Sequence, residues 1–510
     1  MTSKQDAPLK NDSLGLPRHC GTIQRSNFQC QATVLSSLVC AGALALQTGC
    51  QPYERKPLDM DGLRSNALSR SPGDQSVREF AATLDAVEAG TRDVFDPSDG
   101  LTLAEGEPVA LVFNSELRLA RLEANVTRAT ATHAGLWQDP ALGVDVERIV
   151  SGAGGADPWV LGSTLSITIP ISGRLEAEKA RAGAAFSAEL DRVAAKEWAT
   201  RAALRELWIE WSAQRLRAEI ASELVARLRD VAALASKQEQ AASISRLDSR
   251  LFRVELAGRE ADLVSFTARV KELELQLRAM MGLASAADVV LVPTLAFEPR
   301  AHDGEELGRL LELANPELAA VRSEYEVAER SLRAEVRKQY PDLTIGPGYG
   351  TDQGDDRVLF GLSLPIPLWN RNQQGVAEAS AQREVARGRF ESTYEHLASR
   401  LAIALLRYES GKAQRAMVES SVVPLADEQE ADVRRVAELG RVDPLLMLES
   451  LKALHAAKLR LIDASASEAI GAIRVDELIG PPASPPVPAT SGNTQTPAAE
   501  SSAPVEGDRS

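Results

Sequence analysis

Four segments of this chain recur, in the same order, about 200 residues further on. "NSELRLARLEAN" (114–125) returns as "NPELAAVRSEYE" (315–326), and "WQDPALGVDVE" (137–147) as "KQYPDLTIGPG" (338–348). "VLGSTLSITIPISGR" (160–174) returns as "VLFGLSLPIPLWNR" (358–371), and "SRLDSRLFRVELA" (245–257) as "GRVDPLLMLESLK" (440–452). The period is too long for a solenoid, whose repeats run to about 20–50 residues. It defines two copies of one large unit, over 101–300 and 301–480. Each copy reads helix, two strands, then two helices, so the fold class is mainly α with a small β part.

The strands carry the strongest constraint. Val358, Phe360, Leu362, Leu364 and Ile366 alternate with Leu359, Gly361, Ser363 and Pro365. Leu343, Ile345, Pro347 and Tyr349 alternate with Thr344 and glycines. In the first copy Leu142, Val144 and Val146 alternate with Gly143, Asp145 and Glu147, and Leu165, Ile167 and Ile169 with Thr164, Ser166 and Thr168. Each strand thus has one apolar face and one small or polar face. Each is about 9–11 residues long, the length a tilted strand needs to cross a bilayer. A half-buried sheet in a soluble domain alternates in the same way. The loops "RIVSGAGGADP" and "GTDQGDD" have the composition of exposed turns.

The helices are long. From Arg174 to about Lys237 there is no proline and one glycine, Gly183. One continuous helix there would approach 95 Å at about 1.5 Å per residue. Its counterpart runs from about Arg371 to Val423, before Pro424. Modest apolar stripes on such helices require side-by-side packing in coiled-coil fashion. Trp198, Trp208 and Trp211 read as part of that packing. Four strands cannot close a membrane barrel, because the smallest use about eight. An open edge in lipid leaves backbone groups unpaired. If these strands enter a membrane, the chain must oligomerise.

A net charge of −15 argues against a nucleic-acid partner. Residues 1–49 read as a signal or leader segment, with the apolar run "ATVLSSLVCAGALAL" preceded by Arg25. The run ends "LQTGC", a lipobox-like pattern that marks Cys50 for lipidation. All four cysteines (Cys20, Cys30, Cys40, Cys50) lie in or before this region, so a mature chain would carry no disulfide framework. Residues 50–100 read as an irregular N-terminal arm. Residues 481–510, rich in Pro, Ser, Thr and Ala, read as a disordered tail.

The segments "NPELAAVR", "QYPDLTIGPGYG" and "LFGLSLPIPLWNRNQQGVAEASAQRE" resemble the TolC-like outer-membrane efflux proteins. The form "PIPLWNRNQQG" looks most like the heavy-metal-efflux subgroup. The resemblance covers about 101–480. It implies a homotrimer in which three copies build a twelve-stranded outer-membrane β-barrel, continued by a long periplasmic α-helical barrel. It implies a periplasmic adaptor and an inner-membrane pump as partners, outer-membrane lipid around the strands, and passive conduction of heavy-metal cations. It also implies a gate at the periplasmic tip. Asp443 matches a gate-lining aspartate of that pattern, and Asp248 is its counterpart in the first copy. Where some relatives carry a second acidic residue, Leu446 stands. Asp443 before Pro444 also reads as a helix N-cap.

Two other functions stay open at this stage: a periplasmic coiled-coil adaptor or scaffold, and the same duct serving drugs or other small molecules. No catalytic constellation, metal site or cofactor motif is visible, and the five histidines are dispersed. The junctions from strand to helix read as a seam between barrel and tunnel. Pro170, Pro365 and Pro367 would end sheet pairing, since proline cannot donate to a ladder. Trp369 would sit in an interfacial aromatic belt, and Asn370 to Gln374 would start the helix. In the first copy Ser172 stands where Trp369 does.

Overall fold

The computed structural model describes residues 53–87, 95–151, 159–300, 304–352, 355–438 and 443–482. Cys50, the leader and most of the tail lie outside the described residues. The chain divides at Leu63/Arg64 into two units. In the described part of the first, the Asp59 carboxylate accepts from the amides of Asp61 (3.1 Å) and Gly62 (3.0 Å), opening a helix.

Segment 50–100, expected to be irregular, carries two helices, α1 (Met60–Leu68) and α2 (Gln75–Val87). Val77 of α2 is fully buried among Val109, Trp208 and Leu273. That apolar contact, distant in sequence, orders a segment whose own composition is polar.

The first copy then follows as α3 (Leu103–Phe113), α4 (Ser115–Thr132), β1 (Ala141–Arg148), β2 (Trp159–Ile169), α5 (Arg174–Gln240) and α6 (Arg246–Met280). The second runs α7 (Gly304–Ala314), α8 (Pro316–Arg337), β3 (Leu343–Asp352), β4 (Asp355–Ser363), α9 (Gln373–Met417), α10 (Val423–Glu438) and α11 (Pro444–Ile479). The α5 helix is one piece of 67 residues, about 100 Å at 1.5 Å per residue. Its counterpart does not stop before Pro424. A π-helical turn, Val418–Val422, carries the chain from α9 into α10. Proline lacks an N–H and its ring crowds the carbonyl one turn back. The wider turn absorbs that mismatch without breaking the rod.

The duplication is visible atom by atom. Asn114 caps α4, accepting from the amides of Glu116 and Leu117, while its Nδ2 donates to Met280 O at 2.9 Å. Asn315 caps α8, accepting from Leu318 N, while its Nδ2 donates to Leu478 O at 2.8 Å. Each asparagine thus ties the start of one helix to the end of another. The helix ends it holds are followed by Gly282 (φ 67°) and Gly480 (φ 79°). A Cβ on either would lie 2.1 Å from the Phe113 or Ala314 carbonyl oxygen, so no other residue fits.

The helices pack on α5, whose near half meets α4 and α8, and whose remainder meets α6 and α11. Trp208 and Trp211 are fully buried, edge to face with centroids 5.9 Å apart. Trp198 is buried too, and its Nε1 donates to Glu477 O at 2.8 Å. Beside it lies a buried charge network. Glu107 of α3 takes Arg201 of α5 at 2.7 Å and also Arg205. Arg205 reaches Asp476 of α11 at 2.9 Å, and Arg300, between the copies, joins Asp476 and the Gly480 carbonyl. The two copies are thereby locked by residues from three helices and the linker.

Removing one member leaves a buried charge uncompensated, which costs about 3–5 kcal/mol. Glu107→Gln is expected to lower the denaturation midpoint of the detergent-solubilised protein by a corresponding amount. Glu210→Gln, which breaks an exposed pair with Arg269, should change stability by about 1 kcal/mol or less.

Candidate functional site

The four strands form one antiparallel sheet in the order β1-β2-β3-β4. Its register aligns the apolar sets of all four. Leu142 faces Leu165 and Val146 faces Leu161. Ile167 faces Ile345 and Ile169 faces Leu343. Ile345 continues to Leu362, Pro347 to Phe360 and Tyr349 to Val358. One side of the sheet is therefore mostly apolar, interrupted by Ser163 between Val144 and Tyr349 and by Thr351 beside Leu161. It is also largely uncovered: Phe360 is 73% exposed and Val358 86%. A one-residue slip in any pair would have scattered this face.

The opposite side carries glycines and hydroxyls, with Asp145, Glu147, Asp352, Arg357 and Leu359 among them. Gly143 faces Thr164, which faces Gly348, and Gly346 faces Gly361. Thr168 and Thr344 share a hydroxyl–hydroxyl bond at 3.1 Å. A Cβ on Gly348 would meet Ser163 O at 2.8 Å, and one on Gly350 would meet Leu161 O at 2.7 Å. At these two positions β2 and β3 lie closer together than a β-carbon would allow. Strands β1 and β4 each pair on one side only, which leaves both sheet edges open.

Aromatic residues mark both ends of the apolar face. Trp159 opens β2 at the far end, with the Arg148 guanidinium 5.5 Å from its ring centre. At the helical end Trp137, Tyr340 and Trp369 are each more than half exposed. Strand β2 has 11 residues. Tilted by about 45° it covers about 25 Å, the height of an outer-membrane apolar band. Trp137 and Tyr340 escaped sequence reading because they precede their strands. Their shared signal is an aromatic within three residues of a strand-opening proline.

Pro170 follows β2 directly, and Pro365 and Pro367 follow β4. Within 370–374 the helix proper starts at the fourth residue. Arg371 and Asn372 adopt left-handed backbone (φ 43° and 50°), and α9 begins at Gln373. Asn372, rather than Asn370, anchors this return: its Nδ2 donates to the Glu335 carbonyl and carboxylate, both at 2.8 Å. Bonds from Lys338 and then Asn372 hold the Glu335 carboxyl below its usual range. In the first copy Ser172 does the equivalent work. Its buried hydroxyl donates to Asp342 at 2.8 Å, and Arg174 pairs with the same carboxylate at 3.3 Å. Each strand-to-helix return is thus fastened to α8 or the residue before β3.

Far from the sheet, the first turns of α6 and α11 pack on the last part of α5 through Phe252, Leu448, Leu451, Leu224 and Leu228. Asp443 is the N-cap of α11, accepting from Leu445 N at 3.0 Å and Leu446 N at 3.4 Å. Asp248 differs. It is the fourth residue of a capping box on α6, where its carboxylate accepts from the Ser245 hydroxyl at 2.7 Å. The two aspartates align in sequence, yet their helices start three residues apart. Among the described residues, no three His, Cys, Asp or Glu side chains converge on a metal-holding geometry. No described helix is long and apolar enough to cross a membrane.

Residues 307–481 match the family model described as outer membrane efflux protein. The cobalt-zinc-cadmium resistance protein CzcC of Cupriavidus metallidurans is 27% identical over 248 residues, 48% of this chain and 59% of that protein. This chain therefore spans somewhat over half the length of that relative. The CusC transmembrane channel superposes with a TM-score of 0.63 at 15% identity, covering 84% of this chain and 99% of CusC. The outer membrane protein VceC of Vibrio cholerae gives 0.62 at 16%, covering 74% and 96%. The chain is thus similar to TolC-like outer-membrane efflux proteins in sequence and in fold.

Replacing an N-cap aspartate by alanine costs about 1 kcal/mol, whereas asparagine caps equally well. Asp443→Ala should speed hydrogen exchange in the first turn of α11 by about fivefold, and Asp443→Asn should leave it unchanged.

Proposed function

We propose that this chain is the outer-membrane exit duct of a tripartite efflux system. Three copies close their sheets into one twelve-stranded barrel, apolar side to lipid and glycine–hydroxyl side to the lumen. The long helices continue the duct through the periplasm. An adaptor and an inner-membrane pump engage the end that carries Asp443 and Asp248, and the pump supplies the energy. Cys50 carries the lipid anchor. The observation that bears this reading is the register, which sums four amphipathic strands into one exposed apolar face with two open edges.

Heavy-metal cations are the favoured cargo. The similarity to a protein named for cobalt, zinc and cadmium resistance supports this class, and so does a lumen face with glycine and hydroxyl groups in place of aromatics. Conduction needs no tight metal site, because bound cargo must leave again. Around a threefold axis Asp443 would gather three carboxylates, a cation-attracting ring that also caps its helices. The Pro170, Pro365, Pro367 and Trp369 junctions would form the seam at the inner membrane–water boundary. A soluble adaptor would have to cover the apolar face of the sheet, and among the described residues none folds over it.

Single cysteines decide between lipid and water. Phe360→Cys should resist water-soluble maleimides and react with lipid-phase reagents, while Gly361→Cys should do the reverse. Two water-accessible sites, or two buried ones, would count against the barrel. For the gate, Asp443→Asn retains the cap and removes the charge, so it should reduce cation-over-anion selectivity in planar bilayers. Unchanged selectivity would leave Asp443 with its cap alone. A deletion strain should lose resistance to divalent heavy metals more than to amphipathic drugs.

A further inference from the structure

His455 lies on α11, about three turns beyond Asp443. Its ring is buried, 8% exposed, and its Nδ1 makes no hydrogen bond. A cavity of about 20 Å³ beside it is lined by Glu223, Leu224 and Arg227 of α5 and Leu451, Leu454 and Lys458 of α11. That is room for one water. Arg259 and Asp262 of α6 lie near enough to act on the ring electrostatically. Helix α10 approaches through Glu430, which pairs with Arg227 at 3.2 Å.

Every carboxylate around the ring already has a cation. Glu223 faces Lys458 at 3.9 Å, and Arg259 bridges Glu255 at 2.8 Å and Asp262 at 3.1 Å. An imidazolium formed here would join Arg227, Arg259 and Lys458 with no free acid to meet it. Burial first, and then Arg259, hold His455 below its usual range; Asp262 opposes this and Lys458 adds to it. The sign follows from that depression. The unfolded side chain titrates at about 6.5. The neutral ring's contribution is therefore full above that pH and declines as pH falls below it, because the folded state resists the proton that the unfolded state accepts.

We infer that His455 is an acid-sensitive switch: its protonation loosens the packing of α11 on α5 and α6 and frees the helix end that carries Asp443. A conductance effect would rest on the proposed duct, whereas the loosening itself does not.

Hydrogen exchange on the full chain in detergent, at about pH 7.5 and 5.5 and corrected for intrinsic rates, tests it. In the wild type, exchange over 445–457 should rise in acid, by up to about tenfold, while 466–478 stays protected. His455→Gln and His455→Phe should each abolish the rise. An equal rise in either folded variant, or no rise in the wild type, overturns the switch. A chain that conducts at no pH would refute the duct and leave the exchange result to decide the switch.

Discussion

A sheet with one apolar face and two open edges is uncomfortable in either solvent. In water, each large apolar side chain left exposed forgoes about 1.5–3 kcal/mol of burial. In lipid, every unpaired backbone group on β1 and β4 costs several kcal/mol. Closure with other copies of itself satisfies both demands. Edge pairing consumes the open backbone, and the apolar face then meets lipid. The proposed trimer would meet both demands at once.

The rest of the unit serves to aim this sheet. Ser172 and Asn372 fasten the two returning helices to α8 and to the residue before β3. Asn114 and Asn315, with Gly282 and Gly480, clamp helix starts to helix ends. The Glu107–Arg205–Asp476 network binds α3, α5 and α11 at one level. Such a network stabilises poorly for its desolvation cost. Its effect is geometric: misregistered helices would strand two buried carboxylates among apolar neighbours.

Much of this was legible in the sequence. Period-two alternation located all four strands, and the absence of proline marked the extent of α5. The repeated "NxEL" segments located α4 and α8. Other features had no local signature. Glu107 and Asp476 lie far apart in the chain and meet only through helix packing. Pro424 reads as a stop, yet tertiary contacts keep the rod intact through a π turn. Asn370 and Asn372 are two residues apart in one polar cluster, and only the left-handed backbone at Arg371 and Asn372 separates their roles. The aligned aspartates diverge because Ser245 offers a cap in one copy and the other has glycine there.

The central proposal is that β1 of one copy pairs with β4 of the next. One cysteine fixed on β1 at Val144, with a second walked along β4 from Val358 to Leu362, tests it in outer-membrane vesicles. Oxidation should produce a covalent trimer at one register and its neighbours two residues away. Crosslinks confined to single chains, or none at any position, would contradict closure of the sheet between copies.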